Sequence, residues 1–412
     1  MKLGADIATA GANVAPAVDE PHEQAGVQPG GSLALFALAG ATAALFVANL
    51  YYAQPLLTVI ARDLKIPPEY AGTIASASQL GYGLGLFLLV PLADLIENKR
   101  LVMICSLCGI SGMLGTAFAP SAWAFLCAAL VIGVFSSGAQ VLIPYLSYFI
   151  PGPRRGRVLS AIMAGILTSV MLARPFALYV AAELGWRAVY GISAGCSAIL
   201  FTMLWRFMPE RSPGDGVGYR RIVRSMFVVF AKERPVRRRA LYQALSFASF
   251  TMLWSAIPMM LADHFGLSRA SIALFALVGA GGVVAAPLGG LLADRGWVRM
   301  GTMGAGLVMA SAFLASWGCF RGMSLVGLAA ASFLIDGCVQ ASQMLSRIVV
   351  LDVDPAIRSR INGLYMTCVY VSGAFGSTLG ALLYLKFGWP AVAFCGAAGG
   401  VVVALILFLE ME

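Results

Sequence analysis

The chain has 412 residues, 60% of them hydrophobic and only 11% charged, with a formal net charge of +9. A soluble globule carries about 25% charged residues, so there is too little polar surface here to coat one, and lipid must solvate most of the chain. The positive balance then reads as a bias in membrane orientation rather than a surface for nucleic acid.

Residues 1–31 hold Gly, Ala, Pro and the acids Asp19, Glu20 and Glu23, with Lys2 as the one basic residue. The tail lacks the basic start and unbroken apolar run of a cleaved signal. It has too little apolar surface to fold alone, which predicts a disordered cytoplasmic segment. A membrane span needs roughly 20 apolar residues. Polar breaks give six candidates in a first half (32–208), at 33–60, 71–93, 101–119, 122–149, 158–182 and 188–208. Next comes a connector, 209–240, with nine basic residues against Glu210, Asp215 and Glu233. Its segment from Tyr219 to Ala231 puts Ile222, Met226, Val229 and Phe230 on one helical face. It reads either as a helix on the inner leaflet or as an unstructured linker. Six more spans follow in a second half (241–412), at 241–262, 271–293, 301–320, 323–351, 361–385 and 391–409. The runs are continuous rather than alternating, which argues for helices over barrel strands.

Charge sets the expected orientation. With the N-terminus inside, the cytoplasmic turns collect Lys99, Arg100, Arg154, Arg155, Arg157, the connector, Arg295, Arg299, Arg358 and Arg360. The outer turns keep Arg62, Lys65, Arg187, Arg269, Arg321 and Lys386. Both termini are therefore expected in the cytoplasm. The halves also repeat. Pro55 matches Pro258, Arg155-Gly156-Arg157 matches Arg358-Ser359-Arg360 and Gly185-Trp186 matches Gly388-Trp389, each 203 residues apart. Leu92-Ala93-Asp94 matches Leu292-Ala293-Asp294 at 200. Two parallel six-helix repeats suit a transporter that rocks one half against the other. The expected fold is thus an all-α integral membrane protein, twelve helices in two pseudo-symmetric bundles.

The turn Gly290-Leu291-Leu292-Ala293-Asp294-Arg295-Gly296 with Arg299 resembles the cytoplasmic loop signature of the major facilitator superfamily. The first-half copy, Asp94 with Lys99 and Arg100, departs from it at Val90, Leu95 and Glu97. The stretches Ala48–Leu56, Gly138–Pro144, Leu172–Pro175 and Asp352–Pro355 resemble a bacterial arabinose-efflux-permease-like branch, near the drug:proton antiporters. Ala129, where those antiporters carry a membrane Arg, and Arg174 before Pro175, where they carry Gly, are departures. The resemblance implies proton-driven efflux of a small organic solute across the bacterial inner membrane by a monomer. It also implies a conformational lock at Asp94, Lys99, Asp294, Arg295 and Arg299, with the better-preserved second-half turn the stronger of the two.

Three charges lie inside spans: Arg174, Asp336 and Arg347. Asp336, Gln340, Gln343 and Arg347 are spaced four, three and four apart, one polar stripe of span ten. Their mates at 203 residues in span four are Gly133, Ser137, Gln140 and Pro144. A carboxylate at mid-membrane costs roughly 2.5–3.5 kcal/mol and marks a functional site by default. Out of water it takes up a proton more readily, so Asp336 is the expected proton carrier. Tyr51, Gln54 and Asn49 of span one, and Trp254 of span seven at the mate of Tyr51, complete the expected solute cavity with Gln140, Gln340 and Gln343. Arg174 is a charge partner or gate. Arg347, about 16 Å along the helix from Asp336, is expected to reach toward the inner surface.

The other readings are a proton-coupled importer on the same scaffold and a non-transporting receptor or enzyme. His22 and His264 are the only histidines, and no metal-ligand spacing, phosphate loop or nucleophile elbow occurs. No cofactor, metal or nucleic-acid partner is expected, only solute, protons and lipid. The orientation has a direct check. On a cysteine-free background, a single cysteine at Glu183 should react with an impermeant maleimide in intact cells, and one at Ala231 only after permeabilisation. Labelling of position 231 from outside contradicts the charge argument.

Overall fold

The computed structural model describes residues 33–150, 152–211, 218–353 and 358–410, so the N-terminal tail and connector residues 212–217 lie outside the described residues. Among them the chain is helical throughout, and eleven helices are long and apolar enough to cross a membrane. A shorter apolar helix, Leu33–Ala48, begins the remaining crossing. The protein is a multi-pass integral membrane protein of two six-helix halves.

Span one is not the continuous helix expected. Leu33–Ala48 stops, the backbone turns through Asn49–Ala53, and the chain resumes as a tight 3-10 turn at Gln54–Leu56 and a short helix, Leu57–Asp63. Pro55 explains the restart. It has no N–H to donate back along a helix, and its fixed φ suits the first helical turn. Its repeat mate Pro258 behaves differently, sitting inside the unbroken span seven, Arg234–Asp263. Span eight is also interrupted, as Arg269–Phe275, a 3-10 segment Ala276–Ala280 and Gly281–Asp294. Spans one and eight thus both carry irregular backbone at depth, which a membrane protein tolerates only where protein or a cavity surrounds it.

The remaining crossings are Thr73–Leu88, Asn98–Ala117, Ala122–Ser136 with Gly138–Phe149, Gly152–Leu184, Trp186–Phe207, Val298–Arg321, Leu325–Asp352, Arg358–Phe387 and Trp389–Leu409. Within the halves, span two packs on four, seven on eleven, and ten on both eight and nine. Between the halves, span two meets eleven and span five meets eight. The first of these seams is hydrogen-bonded. Ser76 donates to the Ala374 carbonyl at 2.6 Å, and Thr367 to the Gly83 carbonyl at 3.1 Å.

The connector contains a helix, Tyr219–Lys232, with Ile222 and Met226 buried. That face packs against protein rather than lying free on the leaflet. Phe227 meets Phe87 of span two with ring centroids 5.4 Å apart, and the Tyr219 hydroxyl donates to the Leu88 carbonyl. The end of the chain is tied to the same side. Glu410 accepts from the Tyr242 hydroxyl at 2.6 Å and pairs with Arg238 at 3.0 Å. On the far side Arg187 and Trp186 both bind Asp63, joining span six to the end of span one.

Lipid offers no hydrophobic drive for helices to associate, so close approach through small residues must supply the packing. Spans two and four show this most clearly: a Cβ on Gly133 would collide with the Ser78 carbonyl, and one on Gly81 with the Leu130 carbonyl. Gly195 of span six faces open space. We therefore expect Gly133→Ala to destabilise the purified protein by about 1–3 kcal/mol through overpacking. Gly195→Ala should be neutral or stabilising, since Ala favours a helix over Gly by about 0.8–1 kcal/mol. Thermal unfolding in detergent reads both, and equal shifts contradict the close-crossing account.

Candidate functional site

The breaks in spans one and eight frame one buried layer at mid-membrane. Asp336, 3% exposed, accepts two hydrogen bonds. Its Oδ2 takes the backbone N–H of Gly282 at 2.6 Å, and its Oδ1 takes the Trp254 indole N–H at 3.2 Å. Gly282 stands one residue into the helix that restarts span eight. The first N–H groups of a helix have no partner within it, and that end favours negative charge. A Cβ at position 282 would lie 2.6 Å from Asp336 Oδ2 and 2.7 Å from Gln340 Cγ, so only glycine lets the carboxylate reach the backbone.

Arg174 of span five, 1% exposed, occupies the other side of Trp254. Its guanidinium carbon sits 4.1 Å from the Trp254 ring centroid, 5.2 Å from that of Tyr51 and 5.4 Å from that of Phe250. Its Nε donates to Gln54 Oε1 at 3.2 Å. Arg174 and Asp336 form no direct ion pair. Trp254 lies between them, offering its π face to the cation and its N–H to the anion. Residues from spans one, five, seven, eight and ten therefore converge here, drawn from both halves.

An aromatic path leads from this layer toward the connector side. Tyr51 lies beside Tyr370 of span eleven. Tyr370 packs on Tyr82 at 4.4 Å, and Tyr82 accepts from Gln140 Nε2 at 3.2 Å. Gln140 and Arg347 line a cavity of about 320 Å³ with Ile143, Met163 and Asn362. A second cavity, of about 310 Å³, opens on the far side between spans one and seven, bounded by Arg62, Asp263 and Arg269. The layer of Tyr51, Gln54, Arg174, Trp254 and Asp336 separates the two.

The residues expected to line one cavity are distributed differently. Tyr51, Gln54, Trp254 and Asp336 belong to the buried layer, with half-buried Gln340 beside Gly282 at its edge, whereas Gln140 belongs to the connector-side cavity. Gln343 and Arg347 turn toward span eleven, each against Met366 Sδ, at 3.9 and 3.4 Å. The stripe of span ten is thus shared between span eight at its upper end and span eleven at its lower end. Arg347 lines the cavity instead of reaching for the inner surface. Asn49 lies outside the site: its Oδ1 accepts from Ser193 of span six at 2.7 Å, within the first half.

The expected lock also falls differently. Asp94, in the degraded first-half turn, pairs across the halves with Arg360 at 3.5 Å. Asp294 and Arg295, in the better-preserved turn, are exposed and form no ion pair among the described residues. Lys99 likewise makes none, and Arg299 Nη2 donates to the Leu407 carbonyl at 2.9 Å within its own half. The reason is geometric. Spans two and eleven meet down to the connector-side turn, which brings Asp94 to span eleven in this state.

Sequence reasoning overlooked Gly282, Tyr82, Tyr370 and Gln79. Gln79 is buried in span two, neither of its amide atoms has a partner, and its Oε1 lies 2.5 Å from where a Gly373 Cβ would stand. The repeat could have found Tyr82, because spans two and eight align at 200 residues and Tyr82 is then the mate of Gly282. Gln79 and Tyr370 carried no comparable signal. No group of three or more metal-ligating side chains occurs among the described residues.

Two six-helix halves closing on a buried charged layer between opposed cavities define a membrane transporter. The chain belongs to the Major Facilitator Superfamily, whose family model matches residues 35–239 and 239–412. It is 35% identical to the uncharacterized transporter YgaY of Escherichia coli O157:H7, over 91% of this chain and 95% of that one. Among solved structures it is similar to a D-xylose-proton symporter (TM-score 0.70, 16% identity, 91% of this chain and 96% of that one). It is also similar to the nucleoside transporter NupG (TM-score 0.71, 16% identity, 92% and 100%).

A half-exposed ion pair is worth about 0.2–1 kcal/mol. Asp94→Asn should therefore lower the population of the state described here by no more than about fivefold, and Asp294→Asn should leave that population unchanged. Double electron–electron resonance between spin labels at Arg100 and Met300, one on each half, measures it. An equal or larger shift from Asp294→Asn contradicts the assignment of the pair.

Proposed function

We propose that this chain is a proton-coupled secondary transporter of a small organic solute, with Asp336 carrying the proton. The observation that supports this most strongly is the placement of Asp336. It is the one acid away from a helix end among the described residues, held by Gly282 and Trp254 in the layer between the two cavities. A buried carboxylate favours its neutral form, so a proton can move on and off Asp336 as the layer is opened to either side. Coupling needs only that proton and solute bias the same two-state equilibrium. Trp254 offers the route, since it touches the proton site with its N–H and Arg174 with its ring.

Export by proton antiport from the cytoplasm of a bacterium, with both termini inside, is the reading that the sequence resemblance and charge asymmetry support. A second reading, cotransport of proton and solute, is favoured by one feature of the site. Arg174 and Asp336 share Trp254, so protonating Asp336 leaves the Arg174 charge uncompensated and better able to hold an electron-rich solute. The D-xylose-proton symporter shows that this fold accommodates such coupling in another protein.

Proteoliposomes with an imposed pH gradient, screened over sugars, amino acids, organic acids and amphiphilic drugs, identify a solute and the sign of coupling. With that solute, Asp336→Asn keeps the side-chain shape and mimics the protonated form. It should abolish accumulation against a gradient while leaving solute exchange measurable. If the Asn variant still concentrates solute, the proton site lies elsewhere.

A further inference from the structure

We propose that Arg174 and Gln54 together form a carboxylate-binding site, so that the transported solute is a small organic anion. The inference rests on reading the central layer as the solute site, and it adds the chemical class that the site selects. Arg174 is 1% exposed and Gln54 0%. Their one mutual hydrogen bond, Arg174 Nε to Gln54 Oε1, uses the only acceptor that either side chain owns. What remains on each is a donor. Arg174 Nη2 and Gln54 Nε2 both lie out of reach of water and meet no acceptor among the described residues.

Leaving a buried donor unmet is costly, and more so for a charged group. Two such groups joined by a hydrogen bond are therefore an unusual arrangement, and the surplus has one sign. Asp336 does not relieve it: its oxygens face the Gly282 and Trp254 N–H groups, and it forms no ion pair with Arg174. A ligand that supplies acceptors without donors fits the surplus, and a carboxylate is that ligand. The planar guanidinium matches it geometrically, and the Gln54 amide adds a further N–H. The surroundings describe the rest of the solute. Trp254, Tyr51 and Phe250 wall the guanidinium with rings. Pro55, Leu178 and Ile257 border a void of about 10 Å³ beside it, so the apolar wall is in place and a solute body enters only as the layer opens. A neutral polyol fits less well, since each hydroxyl brings a donor to a site that already has too many.

Thermal unfolding of the full-length protein in detergent tests this without requiring transport. The probes are sodium acetate, benzoate and succinate, against acetamide, benzamide, succinamide, D-xylose and sodium chloride at matched concentration and ionic strength. We expect at least one carboxylate to raise the melting temperature above its amide and above chloride. In Arg174→Gln and in Gln54→Leu its half-saturating concentration should rise about tenfold or more, with Arg174→Lys intermediate. Gln54→Leu keeps the question open to test if Arg174→Gln does not fold. The proposal is overturned if amides or D-xylose stabilise as well as the carboxylates, if no carboxylate stabilises, or if the carboxylate effect survives both substitutions. Failure of the transport reading looks different: a carboxylate that binds through Arg174 and is never moved by a pH gradient contradicts proton coupling and leaves this site standing.

Discussion

Everything at the centre of this transporter depends on keeping a cation and an anion at mid-membrane without letting them touch. Each ion alone is expensive there, by roughly 2.5–3.5 kcal/mol on the insertion scale. A direct ion pair would quench both charges and leave neither available to solute or proton. Trp254 resolves the conflict. Its N–H satisfies Asp336, and its ring lies 4.1 Å from the Arg174 guanidinium carbon. The carboxylate is completed by a backbone N–H and the guanidinium by two more rings and Gln54. The two charges stay within each other's field, yet each keeps its own partners. A change at either is felt at the other through one rigid side chain, and that side chain belongs to span seven while Arg174 belongs to span five. The link therefore runs between the two halves.

Helix interruptions place these groups. Span one leaves its first helix after Ala48 and restarts at Pro55, and the turn between carries Tyr51 and Gln54 inward. The 3-10 segment of span eight ends at Gly281, where the following helix presents the Gly282 N–H to Asp336. Glycine is required there because a side chain would occupy the carboxylate's position. In the first half the equivalent positions are reversed in character, with Tyr82, the mate of Gly282, packed on Tyr370 across the halves and Gly133, the mate of Asp336, pressed on the backbone of span two. The repeat has kept the helix scaffold while assigning charge to one half only. An asymmetric site on a symmetric frame is what a rocking mechanism needs, because one half can then hold the ligand while the other gates it.

Much of this frame was legible in the sequence. Continuous apolar runs, the basic connector and the 203-residue repeat determine twelve crossings and two halves, because lipid admits few alternatives to helices. Asp336 and Arg174 stood out because charge is rare inside spans. The partners of those charges were not legible. That Trp254 would bridge them depends on how spans five, seven and ten cross, which no local pattern encodes. Gly282 looked like one more packing glycine. Asn49 shares the motif of Tyr51 and Gln54 but faces span six, since the turn after Ala48 departs from helical periodicity. The lock was misjudged for a related reason. Motif quality in the sequence says nothing about which seam is closed in a given state, and the closed seam joins spans two and eleven, where the poorer motif lies.

The central claim is that Asp336 exchanges a proton inside the membrane while held by Trp254. Infrared difference spectroscopy of the purified protein in lipid, recorded between acid and alkaline buffer, reads that exchange without knowledge of the solute. The account predicts a carboxylic-acid carbonyl band that appears on acidification, disappears in Asp336→Asn and shifts in frequency in Trp254→Phe, where the hydrogen bond is lost. A band unchanged in both variants, or no such band at all in the unsubstituted protein, contradicts it.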